Sequence, residues 1–173
     1  DFFSFVETDN VTSKVQDGRI FIKRAALKKQ KYDWIILDAF NGDYIPEHLL
    51  TKEFFTEVKS VLADGGIIAA NTFSSSKLYQ HESATYFDVF GDFVNVVTDE
   101  NSNRIILAGF DTMPSQQQLA ERANKLANKL TPYDVDLQLL SEHLFYTKGN
   151  QDWPADTKVL TDQYSPANLL NYQ

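Results

Sequence analysis

A chain of 173 residues with 43% hydrophobic and 13% aromatic content holds enough apolar material for one buried core, which excludes a fibrous or disordered protein. It contains no cysteine, so disulfides, cysteine-based zinc sites and a thiol nucleophile are ruled out, and a cytoplasmic location is expected. The net charge of −8, with basic residues scattered, argues against a nucleic-acid partner and leaves a cationic substrate or simple solubility as readings of the acidity.

Taken in chain order, Thr12 to Gln16 is β-prone and leads through Asp17-Gly18 into a helix-spaced apolar series, Ile20, Phe21, Ala25, Ala26 and Leu27. Asp33 to Asp38 is an almost continuous apolar run ending in an acid, the pattern of a parallel strand covered on both faces. After the loop Ala39 to Glu47, Thr51 is positioned to cap a helix carrying Phe54, Phe55, Val58, Val61 and Leu62, with Asp64-Gly65-Gly66 as its stop. The strand Ile67 to Phe73 follows, then a serine run at Ser74 to Ser76 expected to cap an aromatic-rich helix ending near Gly91. Phe93 to Val97 and Arg104 to Phe110 read as an antiparallel hairpin. Ser115 to Leu130 and Val135 to Phe145 read as amphipathic helices, and the polar tail beyond Gly149 as a wrapped loop. The apolar runs Trp34 to Leu37 and Gly65 to Ala70 are far too short to cross a bilayer core of roughly 30 Å, so no membrane span is expected in this segment.

Strands alternating with helices imply an α/β fold with a Rossmann-like, mainly parallel sheet, and the hairpin points to its class I methyltransferase version. No Gly-x-Gly loop follows any of these strands, so residues 1–173 are expected to form a single, partial domain with its first strands missing. The flank of strand Asp33 to Leu37 would then be open, which predicts a homo-oligomer through that edge or burial against another part of the molecule.

Ligands in such sheets sit beyond the carboxyl ends of the strands, which singles out the acids placed there. Asp17-Gly18 offers a carboxylate acceptor for an adenine amino group beside a glycine that permits close approach, although taken alone the pair reads first as a helix cap with a turn glycine. Asp38 opens the densest polar cluster, with Asn41, Gly42, Asp43, Tyr44, Glu47 and His48. A carboxylate there is suited to take the proton of an attacking amine, whose ordinary pKa is about 10. Asp43 is a second candidate, to hold or orient the nucleophile. No pair of histidines has metal-ligand spacing and the serines lack a nucleophile context, so neither a metal nor hydrolase chemistry is expected.

Val15-Gln16-Asp17-Gly18-Arg19, Tyr32-Asp33-Trp34-Ile35-Ile36-Leu37-Asp38, Leu50-Thr51-Lys52-Glu53-Phe54-Phe55 and Gly65-Gly66-Ile67 occur in the order in which they stand in spermidine synthases. The chain resembles that family from Val15 to Phe73. The resemblance implies that Asp17 and Gly18 bind the adenine of decarboxylated S-adenosylmethionine or methylthioadenosine, that Asp38 is the catalytic base, and that the co-substrate is decarboxylated S-adenosylmethionine or S-adenosylmethionine. It further implies a polyamine or other small amine as partner, with Asn41, Tyr44, Asp162 and Tyr164 lining its site. Family members continue with Asp-x-x-Asp-Pro, whereas here Asn41 takes the place of the second acid and a carboxylate stands at Asp43. The loop Ala39 to Leu50 and the segment Leu160 to Pro166 resemble the divergent spermidine synthase-like branch, some of whose members are fused to membrane transporter domains. The family's glycine-rich loop and acidic ribose ligand lie upstream of the matched residues. Three functions remain open on this reading: aminopropyl transfer, methyl transfer, and a non-catalytic nucleoside-binding module.

Overall fold

The computed structural model describes residues 6–40, 45–75, 77–97 and 103–165. Among the described residues the α-helices and strands follow in the order α1 (Gly18–Leu27), β1 (Tyr32–Leu37), α2 (Lys52–Ser60), β2 (Leu62–Phe73), α3 (Tyr79–Phe90), β3 (Val94–Val97), β4 (Asn103–Ala108), α4 (Gln116–Leu130), α5 (Leu137–Glu142) and β5 (Leu144–Tyr146), with short 3-10 turns at Glu47–Leu49 and Thr131–Tyr133. The strands form one sheet in the order β1-β2-β4-β3-β5. β1 and β2 are parallel and in register from Trp34↔Ile67 to Leu37↔Ala70. β4 enters antiparallel between β2 and β3, and β5 lies antiparallel on the far side of β3. The expected α/β sheet with its hairpin is present, but the described strands are not mainly parallel as expected: β1–β2 is a parallel pair and the three other pairings are antiparallel, because the hairpin is inserted so that β2 meets its second strand rather than its first, and β5 adds a further antiparallel edge.

The alternation of side chains along the strands divides the sheet into two unlike faces. Ile68, Ala70, Ile106 and Ala108 point to one side and are fully buried, against Ile22 and Ala25 of α1, Phe54, Phe55 and Val58 of α2, and Ala84 and Tyr86 of α3. Phe55 meets Tyr86 at 4.2 Å with the rings tilted by 33°, and Phe93 lies parallel to Trp153 of the tail at 5.7 Å. The opposite face is covered by α4 only in part. A cavity of about 530 Å³ separates Trp34, Ile67 and Leu107 from Leu119 and Arg122 of that helix. Trp34 and Ile36 are 61% and 72% exposed, so β1 is apolar on both faces but covered on one by the described residues.

Several local expectations are corrected. Thr12 to Gln16 forms no strand: it has no regular structure, is exposed from Thr12 to Val15, and leaves Val15 wholly uncovered. Val135 to Phe145 is divided into a short helix, α5, and the edge strand β5. Asp64-Gly65-Gly66 lies inside β2, as a bulge; Gly65 has φ +71°, and a Cβ on Gly66 would sit 2.9 Å from the carbonyl oxygens of Ala63 and Tyr32. The register slips at this point, between Tyr32 and Trp34. The N-cap residue of α3 is Leu78, whose side chain makes no cap hydrogen bond; of the serine run expected to cap this helix, Ser76 lies outside the described residues. The cap at Thr51 is as expected, and Ser115 caps α4 in a full capping box with Gln118.

A buried polar group lies between β3, β4 and α3. The Arg104 guanidinium, wholly buried, donates to Asn95 Oδ1 and Ser83 Oγ and lies over the Tyr79 ring at 4.0 Å. Glu82, also buried, has no hydrogen-bond partner for Oε2 among the described residues, and burial pushes its carboxyl up to about 7. No helix among the described residues is long and apolar enough to cross a membrane.

Candidate active site

The parallel pairing of β1 and β2 brings two polar residues together at the carboxyl ends of these strands. Asp38 follows Leu37 directly, and Asn71 stands one step beyond Ala70, the partner of Leu37. Asn71 Nδ2 donates to Asp38 Oδ1 at 2.9 Å, which fixes an otherwise exposed carboxylate. The other end of the same amide, Asn71 Oδ1, is buried with no partner among the described residues. An acceptor left in this state beside a carboxylate suits a donor such as an ammonium or amine. Phe40 and Phe73 meet edge-to-face at 5.2 Å and form an apolar rim beside the pair.

Asp17 is the N-cap of α1, with Oδ1 accepting the Ile20 N–H at 2.9 Å. Its second oxygen, Oδ2, lies 2.7 Å from His48 Nε2, on the short 3-10 turn Glu47–Leu49. Because that turn belongs to the connection leaving the carboxyl end of β1, the contact brings Asp17 to the sheet edge that carries Asp38. The Ile20 backbone N–H, and after it His48, hold the Asp17 carboxyl below the usual carboxylate range. Beside it Gly18 faces open space: a Cβ there would meet nothing within 4 Å.

Arg19, the next residue, turns inward and is nearly buried. Nε and Nη2 donate to Glu57 of α2 at 2.9 Å each, while Nη1 and Nη2 donate to Asp162 of the tail at 2.7 and 2.8 Å. Nη1 also reaches the His48 carbonyl at 3.3 Å. Asp162 accepts the Thr51 hydroxyl at 2.7 Å, and its backbone N–H donates to Glu53. The Arg19 hydrogen bonds, ahead of the Thr51 hydroxyl, lower the Asp162 carboxyl to about 2. The tail is thus fastened across α1 and α2, and Leu160 lies in the core with its N–H on Thr85 Oγ1.

Of the residues singled out in the sequence, Asp17, Gly18 and Asp38 share one sheet edge. Asp162 is joined to that edge through Arg19, but both its oxygens are engaged in the tail anchor. Tyr164 packs against His81 of α3 and beneath Lys158. Asn41, Asp43 and Tyr44 lie outside the described residues. Asn71, His48 and Arg19 were not assigned roles from the sequence. For Asn71 the available signal was its place at the carboxyl end of a strand parallel to the Asp38 strand. Among the described residues no group of three or more histidines and carboxylates could hold a metal ion.

A parallel β1–β2 pair with polar groups beyond its carboxyl ends, next to an inserted antiparallel strand, defines a Rossmann-like domain of the class I methyltransferase type. In agreement, human methyltransferase-like protein 13, solved in complex with SAH, aligns with a TM-score of 0.68 at 21% identity, over 75% of this chain and 64% of its own. A probable spermidine synthase from Corynebacterium glutamicum aligns with a TM-score of 0.55 at 25% identity, over 86% of this chain and 53% of its own. The spermine/spermidine synthase domain family matches residues 3–100, more than half of the sequence, and the chain belongs to that family. A polyamine aminopropyltransferase of Vibrio vulnificus is 48% identical over 170 residues, covering 98% of this chain and 56% of the relative. One from Neisseria meningitidis is 30% identical over 115 residues, covering 65% and 43%. The chain therefore spans about half the length of the curated relatives it matches.

Proposed function

We propose that the protein transfers an aminopropyl group from decarboxylated S-adenosylmethionine to a polyamine such as putrescine. The observation that carries this reading is the Asp38 carboxylate, held by Asn71 at the same sheet edge as Asp17-Gly18, in a chain of the spermine/spermidine synthase family. Asp17 accepts the adenine amino group, and the open space at Gly18 lets the purine come close to the backbone. The acceptor, an ammonium near neutral pH, gives up a proton to Asp38, and the lone pair so freed on the neutral amine attacks the methylene next to the sulfonium. The new C–N bond forms as the C–S bond breaks, the sulfur takes that electron pair, and methylthioadenosine leaves uncharged. Positioning supplies most of the rate, since displacement at carbon needs the nucleophile in line with the departing sulfur.

The test uses the whole gene product. Asp38→Asn is expected to lower turnover by about a hundredfold or more, the usual worth of a general base, while the dissociation constant for methylthioadenosine stays within about twofold. Thermal shift with methylthioadenosine and with S-adenosylhomocysteine separates aminopropyl from methyl transfer: stabilisation by the first and not the second is expected. Unchanged turnover in Asp38→Asn removes Asp38 from the role of base.

A further inference from the structure

His48 has no part in the proposed chemistry, yet it makes a close contact with the carboxylate assigned to adenine. We propose that His48 is a positioning residue for the nucleoside, whose Nε2–H holds the Asp17 carboxylate plane in the orientation that receives the adenine amino group. This inference rests on the reading of Asp17 as the adenine acceptor.

The Ile20 N–H fixes only one oxygen of Asp17. The terminal torsion of an aspartate is broad and roughly two-fold, so a carboxylate tied at one oxygen still swings. A second bond at Oδ2, 2.7 Å from His48 Nε2, removes that freedom. Because an ionised carboxylate only accepts, Nε2 must carry the proton. The two oxygens together offer about four lone-pair sites, so one donor on each leaves acceptor capacity for an amino group.

The imidazole is presented from a rigid base. Leu49 and Leu50 beside it are buried in the core, and the His48 carbonyl is held by Arg19, which Glu57 and Asp162 hold in turn. The reacting edge stays accessible, with the His48 and Asp17 side chains 49% and 42% exposed. A residue serving only to brace the turn would have no need to direct its ring nitrogen at the helix cap, because the Arg19 contact already joins the turn to α1.

The experiment measures dissociation constants by calorimetry for methylthioadenosine and for its 6-oxo counterpart methylthioinosine, on the whole gene product and its variants. His48→Ala should weaken methylthioadenosine by about threefold to tenfold, the range of one hydrogen bond, without affecting methylthioinosine. His48→Gln, which keeps an N–H donor, should return the affinity to within about twofold of the original. Asp17→Asn, which still caps the helix, should abolish the preference for the amino over the oxo nucleoside. If Asp17→Asn keeps that preference, the adenine reading fails and this inference falls with it. If Asp17→Asn loses the preference while His48→Ala retains full affinity, the inference alone is overturned. An equal loss for both nucleosides in His48→Ala, or a loss that His48→Gln does not restore, also overturns it.

Discussion

Asp162→Asn removes one charge from the tail anchor with almost no change in shape, which makes it a clean probe of what the anchor contributes. The Asp162 carboxyl is lowered from 3.8 to about 2 by Arg19 and Thr51. At about 1.4 kcal/mol per pKa unit, that difference corresponds to roughly 2.5 kcal/mol before any allowance for solvent. The side chain is 42% exposed, so screening reduces the figure, and a loss of about 1 kcal/mol at pH 7 is the expected outcome. In a chain of this length that corresponds to a fall of about 2–4 °C in melting temperature. Since the folded pKa lies below the unfolded one, the stabilisation is complete above about pH 5 and is lost as the pH falls through about 2. Urea unfolding of both proteins at pH 7 and pH 3 should show the gap between them shrinking to about half at the lower pH. A variant as stable as the parent at pH 7, or a gap that does not narrow in acid, would refute the anchor. A rise in the Michaelis constant for the amine with no change in melting temperature would return Asp162 to the substrate site.

Two further outcomes follow from buried groups. Asn71→Leu, close in volume but without a donor or acceptor, should reduce turnover by about tenfold or more through loss of the Asp38 contact, while methylthioadenosine affinity stays within about twofold; steady-state kinetics paired with calorimetry checks this, and equal loss in both would assign Asn71 to structure alone. Glu82 has a folded pKa raised from 4.5 to about 7, so its contribution favours the fold at low pH and declines as pH rises through about 7. Melting temperatures from pH 5 to pH 8 should therefore fall less steeply in Glu82→Gln than in the parent, and parallel curves would contradict the assignment.

The elements legible in the sequence are those whose apolar pattern is long or continuous. Trp34 to Leu37 and Ile67 to Ala70 announce themselves as neighbouring strands because each is an unbroken apolar run, and α4 because its apolar spacing is sustained over about four turns. β5 was hidden for the converse reason. Leu137, Leu139, Leu140, Leu144 and Phe145 pass equally for one helix face, and a three-residue strand has no period of its own; only pairing with β3 decides it. Gly65-Gly66 reads as a helix stop because that is the commoner use of paired glycines, while here close backbone approach in a bulge requires them. In the site, Asp17 and Asp38 were visible as acids following or preceding an element. Asn71, His48 and Arg19 became apparent only through contacts across 29 to 143 residues of sequence, which no local pattern encodes.

The Arg19–Asp162 pair also sets an order of events during synthesis. The two residues are 143 positions apart. At about 5–20 residues per second, Arg19 leaves the ribosome about 7–30 s before its second carboxylate exists. Glu57, only 38 positions on, arrives early and gives the guanidinium a provisional partner. Until the tail follows, the hydroxyls of Thr51 and Thr85 and the pocket that Leu160 fills lie uncovered, so the α1–α2–α3 face is the surface on which a nascent-chain chaperone has the longest opportunity to act.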